Sequence, residues 1–277
     1  MLRITQLIKF CCALLLLSQL SWADSTQLIV PNASDPSPTA HYYYALLKLA
    51  LDKTAPEYGN TELSYYPVTI GRERQRSLIA THAGLDVMWS STNIAREKQL
   101  LAIRLNLLRE LSDYKLLLIR TEDQQTFSKI QQISELRKLK AGTGSHWQDT
   151  NVLQANDIPY ITSWDYDPMF KMLRANRFDY MIRGAQEIAE EIRLHADLNL
   201  VQESHLLIHY RLPVYFFVAK ENKPLAERIY KGLCLAQKDG SWEQLFVNTP
   251  GYREALTEIR DKNRIRIDLI TPPEAVP

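Results

Sequence analysis

The stretch that most constrains the fold runs from Lys140 to Glu191 and repeats a strand, a turn and a helix. In each unit a short apolar or β-branched run precedes a turn, and apolar residues at helical spacing follow it. The predicted turns are Gly142–Ser145, Ser163–Asp167 and Arg183–Gly184. Strands that alternate with helices at this spacing predict a parallel sheet with right-handed crossovers. Ligands bind such sheets beyond the carboxyl ends of the strands, so these turns are candidate edges of a site.

Elements outside this stretch follow from the same patterns. Helices are predicted over His41–Lys53, Arg72–Ala83 and Thr126–Leu139 because apolar residues recur there at near-helical spacing. Pro213 divides the apolar run 205–220 into two strands, since proline cannot donate to a strand ladder. The sequence therefore predicts alternating strands and helices along the whole chain, without internal repeats.

The chain also carries motifs that resemble one protein family. The motifs of the central stretch are Gly142–Thr143–Gly144, Trp147–Gln148–Asp149, Arg177–Phe178–Asp179–Tyr180, Arg183–Gly184 and Glu187. In this order they resemble the second lobe of bacterial periplasmic solute-binding proteins of type II, family 3, in a poorly characterised branch. The segments around Leu85–Trp89 and Tyr215–Val218 resemble the first lobe of the same proteins.

This resemblance implies an α/β, two-lobed, periplasmic-binding-protein-like type II fold, in which each lobe is an open, mostly parallel sheet flanked by helices. It implies that lobe one comprises residues 24–111 and 211–277 and that lobe two comprises residues 112–210. The lobes are expected to close on a small solute by a hinge motion at the two crossings between them.

The first 23 residues predict export. Arg3 and Lys9 precede the apolar run Phe10–Leu20, and Ser21–Ala23 is a small-x-small cleavage site, so cleavage is predicted after Ala23. The alternative is a buried N-terminal helix. The mature chain is expected in the periplasm, without membrane insertion, and as a monomer.

Charge and cysteine content exclude some classes of protein. Loss of a signal peptide would leave one acidic residue in excess, which argues against non-specific binding to nucleic acid or to a membrane surface. Cys11 and Cys12 lie in the predicted signal peptide, so Cys234 would remain alone and no internal disulfide is expected.

Ten residues are predicted to bind the solute, because they lie at strand ends or match motifs of the resembled family. They are Trp89, Ser91, Thr92 and Arg96 in lobe one, and Gly144, Ser145, Trp147, Tyr166, Arg183 and Glu187 in lobe two. Ser145 is also a candidate N-cap for a helix that starts near Trp147. Trp89 or Trp147 is expected to stack on the solute, although either side chain could instead be packed in the core.

The two arginines predict the charge of the solute. Arg96 matches the position that grips a ligand carboxylate in amino-acid-binding relatives, and its alternative is a surface arginine paired with Glu97 or Glu110. Those relatives place an acid where Arg183 stands here, so two arginines in one cleft favour a solute with a carboxylate or phosphate. Glu187 either supplies an acid to the cleft or neutralises Arg183 by pairing with it.

The predicted function is solute binding for transport or sensing, with a membrane permease or a sensor protein as partner. The sequence has no G-x-S-x-G, H-E-x-x-H, C-x-x-C or P-loop motif, so no enzyme activity, metal or cofactor is predicted. Two alternatives remain open. One is a dehydratase-like enzyme built on the same fold, and the other is a periplasmic adaptor that works without a ligand.

Overall fold

The structure, a computed structural model, describes residues 26–32 and 38–273. The predicted signal peptide and its cleavage site after Ala23 lie outside the described residues. None of the helices within the described ranges has the length and apolar character that crossing a membrane requires.

Strands and helices alternate along the described chain. The strands are β1 Thr26–Val30, β2 Thr61–Tyr65, β3 Val87–Ser91, β4 Leu100–Ile103, β5 Tyr114–Arg120, β6 Ala141–Gly144, β7 Tyr160–Ser163, β8 Tyr180–Gly184, β9 Leu200–Gln202, β10 Leu206–His209, β11 Val214–Ala219 and β12 Ile265–Asp268. The α-helices are α1 Pro38–Lys53, α2 Ala55–Tyr58, α3 Arg72–Ala80, α4 Ile94–Gln99, α5 Gln124–Phe127, α6 Ile133–Leu136, α7 Gln148–Ala155, α8 Asp167–Arg174, α9 Ile188–Leu194, α10 Lys223–Lys238, α11 Ser241–Asn248 and α12 Tyr252–Ile259.

The first lobe is built on β1 to β4 and β11. β1 and β2 pair in parallel, while β3 and β4 flank β11 and run antiparallel to it. Helix α1 buries Leu46, Leu47 and Ala50 and packs closely on α10. Gly232 permits this approach, because a Cβ there would lie 2.0 Å from the carbonyl oxygen of Ala50.

The second lobe is built on a mixed sheet with the strand order β12-β10-β5-β8-β6-β7, and β9 pairs with β5. The parallel pairs predicted for the central stretch are present, since β6 runs parallel to both β7 and β8. β5 is the strand by which the chain enters this lobe, and it runs antiparallel to β8 and β10. Consequently the carboxyl ends of β6, β7 and β8 meet at one edge of the sheet.

The helix predicted over Thr126–Leu139 is wrong, because α5 and α6 are separate single turns. The backbone between them is extended at Gln132, where φ is −153° and ψ is 161°. Gln132 and Glu135 form a capping box that starts a new turn at this point. The apolar residues of the segment, including Ile130 and Leu136, are nevertheless buried.

The C-terminal strand joins the sheet of the second lobe, whereas the family resemblance implied that all of 211–277 belongs to the first. β12 runs parallel to β10, with Ile265 opposite Leu206. Ile267 and Leu269 are buried in the second-lobe core, so alternate apolar residues give this strand a buried face. The chain therefore returns to the sheet of β10 after α12.

Asn156 forms hydrogen bonds to the backbone just after β12, and replacing Asn156 tests whether these bonds stabilise the strand. The Asn156 amide donates to the Ile270 carbonyl at 2.8 Å and accepts from the Ile270 amide at 2.8 Å. We expect Asn156→Ala to cost about 1–3 kcal/mol, because it leaves polar groups beside a buried position without partners. Hydrogen exchange should accelerate in β12. Asn151→Ala, at an exposed position of α7, is the control and should leave this exchange unchanged.

Candidate functional site

Arg96 lies in the first turn of α4, just after the carboxyl end of β3. Asn93 caps this helix by accepting a hydrogen bond from the Arg96 amide at 2.7 Å. The Arg96 guanidinium donates to the Ser91 carbonyl and lies 5.7 Å from the centre of the Phe217 ring. Arg96 is only 5% exposed, and within the described chain its Nε donor has no hydrogen-bond partner. A buried guanidinium with a free donor is suited to bind an anion.

The alternative that Arg96 is a surface residue paired with an acid is wrong. Glu97 pairs instead with Arg104, and Glu110 pairs with Arg260. In the part of the chain that the structure describes, Arg96 forms no ion pair with a carboxylate. Its positive charge is therefore buried without a matching negative charge.

Arg72, which the sequence patterns did not indicate, lies near Arg96. It is the first residue of α3 and donates a hydrogen bond from Nη1 to the Trp89 carbonyl. Arg72 is exposed as a residue, its hydrogen bond to Trp89 is partly buried, and partial burial lowers the pKa of Arg72. Burial also lowers the pKa of Arg96, to about 10, and the positive charge of Arg72 adds to that effect. We call Arg72 and Arg96 the cationic wall.

The remaining first-lobe candidates lie in or directly after β3. The Trp89 ring packs against Tyr43 at 5.6 Å and Phe216 at 6.4 Å between ring centres, and Trp89 is 6% exposed. Ser91 is half-buried and Thr92 is buried. The Trp89 ring is thus part of the first-lobe core. The carbonyl groups of Trp89 and Ser91 accept the hydrogen bonds from the cationic wall.

Gly144, Ser145 and Trp147 lie at the turn from β6 into α7. A Cβ at Gly144 would lie 2.4 Å from Nε1 of Trp147, so only glycine lets the indole pack on this turn. The Ser145 amide donates to the Ser163 carbonyl at 2.9 Å, which ties the ends of β6 and β7 together. The predicted N-cap role of Ser145 is wrong, because α7 begins after Trp147 and has no side-chain cap.

Arg183 is enclosed by aromatic rings and carboxylates. Its guanidinium carbon lies 4.7 Å from the centre of the Trp147 ring and 5.4 Å from that of Tyr166. Its Nε lies 2.8 Å from each carboxylate oxygen of Glu191, and its Nη2 lies 3.1 Å from Glu187. Burial disfavours the charged form, but Glu191 and Glu187 outweigh it and raise the pKa of Arg183 well above its usual value.

The prediction that Arg183 is a free cation for the solute is therefore wrong. Arg183 is 8% exposed, Glu191 is 5% exposed, and the Tyr166 hydroxyl donates a further hydrogen bond to Glu191. The pairing of Arg183 with Glu187, which the sequence left open, is present. We call Trp147, Tyr166, Arg183 and Glu187 the aromatic wall. Arg183, Glu187 and the adjacent Glu191 together carry a net negative charge.

Glu187 connects the two walls electrostatically. Its Oε2 accepts a hydrogen bond from the Gly184 amide at 3.3 Å and remains about one-third exposed as a side chain, at 33%. Burial raises the pKa of Tyr43 well above its usual value, and the negative charge of Glu187 adds to this rise. Glu187 likewise offsets in part the lowering of the Arg72 pKa. The charge of this carboxylate therefore acts on groups of the first lobe.

The structure accordingly brings the ten predicted residues together in two groups, one on each lobe. Sequence reasoning missed Tyr43, Arg72 and Glu191. A surface groove of about 390 Å³ next to His41 and Leu245 contains none of the ten residues. Among the described residues no three His, Cys, Asp or Glu side chains cluster closely enough to hold a metal ion.

Comparison with known proteins bears on the fold. No family model matches the chain, and no curated protein matches its sequence. An ancestral arginine-binding protein bound to glutamine superposes with a TM-score of 0.60 at 15% identity, over 81% of this chain and 98% of the other. The probable amino-acid ABC transporter extracellular-binding protein ytmK from Bacillus subtilis superposes with a TM-score of 0.62 at 14% identity, over 82% of this chain and 98% of the other. The chain has the two-lobed fold of the periplasmic binding proteins.

A sensor domain shares this fold as well. A histidine kinase sensor domain with similarity to periplasmic binding proteins superposes with a TM-score of 0.61 at 14% identity, over 82% of this chain and 96% of the other. Identities this low show the fold and do not transfer a ligand. The side chains of this chain determine which ligand its site can bind.

Proposed function

We propose that this protein binds a small solute with a carboxylate or another acidic group, and that its two lobes close on the solute. The main observation for this proposal is the state of the Arg96 guanidinium. Arg96 is buried, its Nε donor is free, and it lacks an ionic partner within the described residues. An anionic oxygen at this position would supply the missing charge and the missing hydrogen bond.

The aromatic wall supports the same proposal from the other lobe. Trp147 and Tyr166 offer apolar surface, and Tyr166 is 39% exposed. Glu187 offers a carboxylate oxygen to hydrogen-bond donors, so an amine on the solute fits there without being required. A few polar groups placed against an apolar surface are typical of small-molecule sites.

The structural neighbours support solute binding for transport or sensing. They include an arginine-binding protein bound to glutamine, a probable amino-acid transporter protein and a histidine kinase sensor domain. We propose a role of this kind in the periplasm, where the protein presents its solute to a membrane permease or to a sensor. The neighbours are described as binding or sensing proteins, so we propose no enzyme activity.

Native mass spectrometry of protein purified from the periplasm tests this proposal. We expect a fraction of the protein to carry a compound with an acidic group, which is released on denaturation. Scattering should then show a more compact protein when the compound is restored. Two results would contradict the proposal: a protein that binds no solute, as a ligand-independent adaptor would, or a solute that is only cationic. Chemical conversion of the compound would indicate the dehydratase-like alternative.

A further inference from the structure

The cationic wall holds two guanidinium groups rather than one. Arg72 donates to the Trp89 carbonyl and Arg96 donates to the Ser91 carbonyl. These carbonyls belong to alternate residues of β3, so they point to the same side of the strand and lie about 7 Å apart. The strand thus positions two guanidinium groups next to each other.

Neither guanidinium has a carboxylate partner. In the described part of the chain no ion pair involves Arg72 or Arg96, and the nearby Glu73 is paired with Arg76. Arg96 is nine-tenths buried or more, at 5% exposure, and its Nε remains free. Glu187 acts on Arg72, and Glu73 acts on Arg96, but neither carboxylate forms an ion pair with these guanidinium groups. The two neighbouring positive charges therefore repel each other, and a bound negative charge would relieve this repulsion.

The N-terminus of helix α3 adds partial positive charge next to the two guanidinium groups. Arg72 is its first residue, and Gly71 at the N-cap has no side chain to accept hydrogen bonds from the free amides. The acidic groups opposite do not cancel the two charges, because Glu191 is fully engaged by Arg183 and Glu187 is shared with it. The excess positive charge therefore lies on the first-lobe side of the site.

We infer that Arg72 and Arg96 act as one two-cation site, so that the solute presents two negative charges to the first lobe. Two carboxylates or one doubly charged phosphoryl group satisfy this requirement. The inference rests on the proposed function and narrows it, since a single carboxylate would satisfy Arg96 alone. Arg72 thereby becomes a specificity-determining residue that distinguishes doubly charged acids from singly charged ones.

Three simple anions test this inference on the mature protein. Dissociation constants for inorganic phosphate, succinate and acetate are measured by thermal-shift titration at pH 8 and constant ionic strength, with chloride as the reference. We expect phosphate or succinate to bind at least about tenfold more tightly than acetate, because a second charge-assisted hydrogen bond forms. Preference for phosphate over succinate would identify a phosphoryl group, and the reverse order would identify a dicarboxylate.

Variants assign the preference to Arg72. Arg72→Gln is expected to reduce the preference to less than about twofold, whereas Arg72→Lys retains the charge and most of the preference. Arg74→Gln removes an exposed positive charge from the same helix and should leave the preference unchanged. Melting in chloride alone shows whether each variant is folded.

The opposite results would overturn the inference. It is wrong if the parent protein binds acetate as tightly as the two dianions, if no anion binds, or if Arg72→Gln keeps the preference. Arg96→Gln separates this inference from the proposed function. If Arg96 binds an acidic group, Arg96→Gln should weaken the binding of all three anions, whatever the effect of Arg72→Gln.

Discussion

Replacement of Glu191 by glutamine is expected to lower the free energy of unfolding by about 3–5 kcal/mol. Glu191 and Arg183 are both buried, at 5% and 8% exposure, and the single Nε hydrogen of Arg183 is shared between the two carboxylate oxygens of Glu191, each 2.8 Å from Nε. Without this carboxylate, the Arg183 guanidinium would remain between Trp147 and Tyr166 with only the partly exposed Glu187 as an ionic partner. We place the loss near the lower end of this interval because Glu187 remains.

Urea unfolding of the parent and two variants would measure this effect. Glu190→Gln is the matched control on the same helix. Its partner, Arg193, is largely exposed, with 69% of the side-chain surface accessible, so the pair contributes at most about 1 kcal/mol. The double variant Arg183→Met, Glu191→Leu should recover most of the lost stability, because apolar residues of similar volume replace a buried pair at little cost. Equal losses in Glu191→Gln and Glu190→Gln would contradict this account.

The sequence indicated that the second-lobe candidates lie near one another, because they follow consecutive strands. Gly144, Tyr166 and Arg183 each lie at or near the carboxyl end of a strand in the central stretch, and these ends share one edge of the sheet. Helix α1 was predicted for a similar reason, since its apolar face recurs over several turns. Local periodicity is sufficient where the contacts that stabilise an element are close in sequence.

The charges of the site could not be predicted in the same way. Glu191 is eight residues from Arg183, across a turn and into the next helix, and no spacing rule pairs side chains over that distance. Arg72 reaches Trp89 because α3 packs next to β3, a contact between segments seventeen residues apart. Sequence patterns identify residue types that carry charge, but only the fold determines which of them neutralise each other.

The C-terminal strand shows the same limit for the fold. Ile265 and Ile267 alternate with charged residues, a pattern typical of a strand with one buried face. The pattern does not identify the sheet that the strand joins. The choice is made by contacts distant in sequence, such as that of Arg264 with the carbonyls of Glu203 and Leu206, at 2.8 and 2.9 Å.

Replacement of Arg96 by methionine is expected to abolish most solute binding without loss of stability in the unbound protein. The affinity should fall by about 1.5–3 kcal/mol, the value of a hydrogen bond to a charged group, which corresponds to about 10- to 150-fold. The unbound protein should be about as stable as the parent. Arg96 buries a charge without an ionic partner and methionine can pack against Phe217, and these gains offset the single hydrogen bond lost by the Ser91 carbonyl. Calorimetry with the solute that co-purifies and thermal melting without it measure the two effects.

Arg228 is the matched control for this prediction. It is another buried arginine of the first lobe, at 7% exposure, but its donors reach the Gly59 carbonyl at 2.7 Å and the Thr54 hydroxyl at 3.2 Å. Arg228→Met should therefore lower stability, since buried acceptors lose their donors, and should leave affinity unchanged. A residue that is retained for binding gives the opposite pattern from one that is retained for structure. If Arg96→Met lost stability and kept its affinity, as Arg228→Met is expected to do, Arg96 would be structural and the proposed anion site would be wrong.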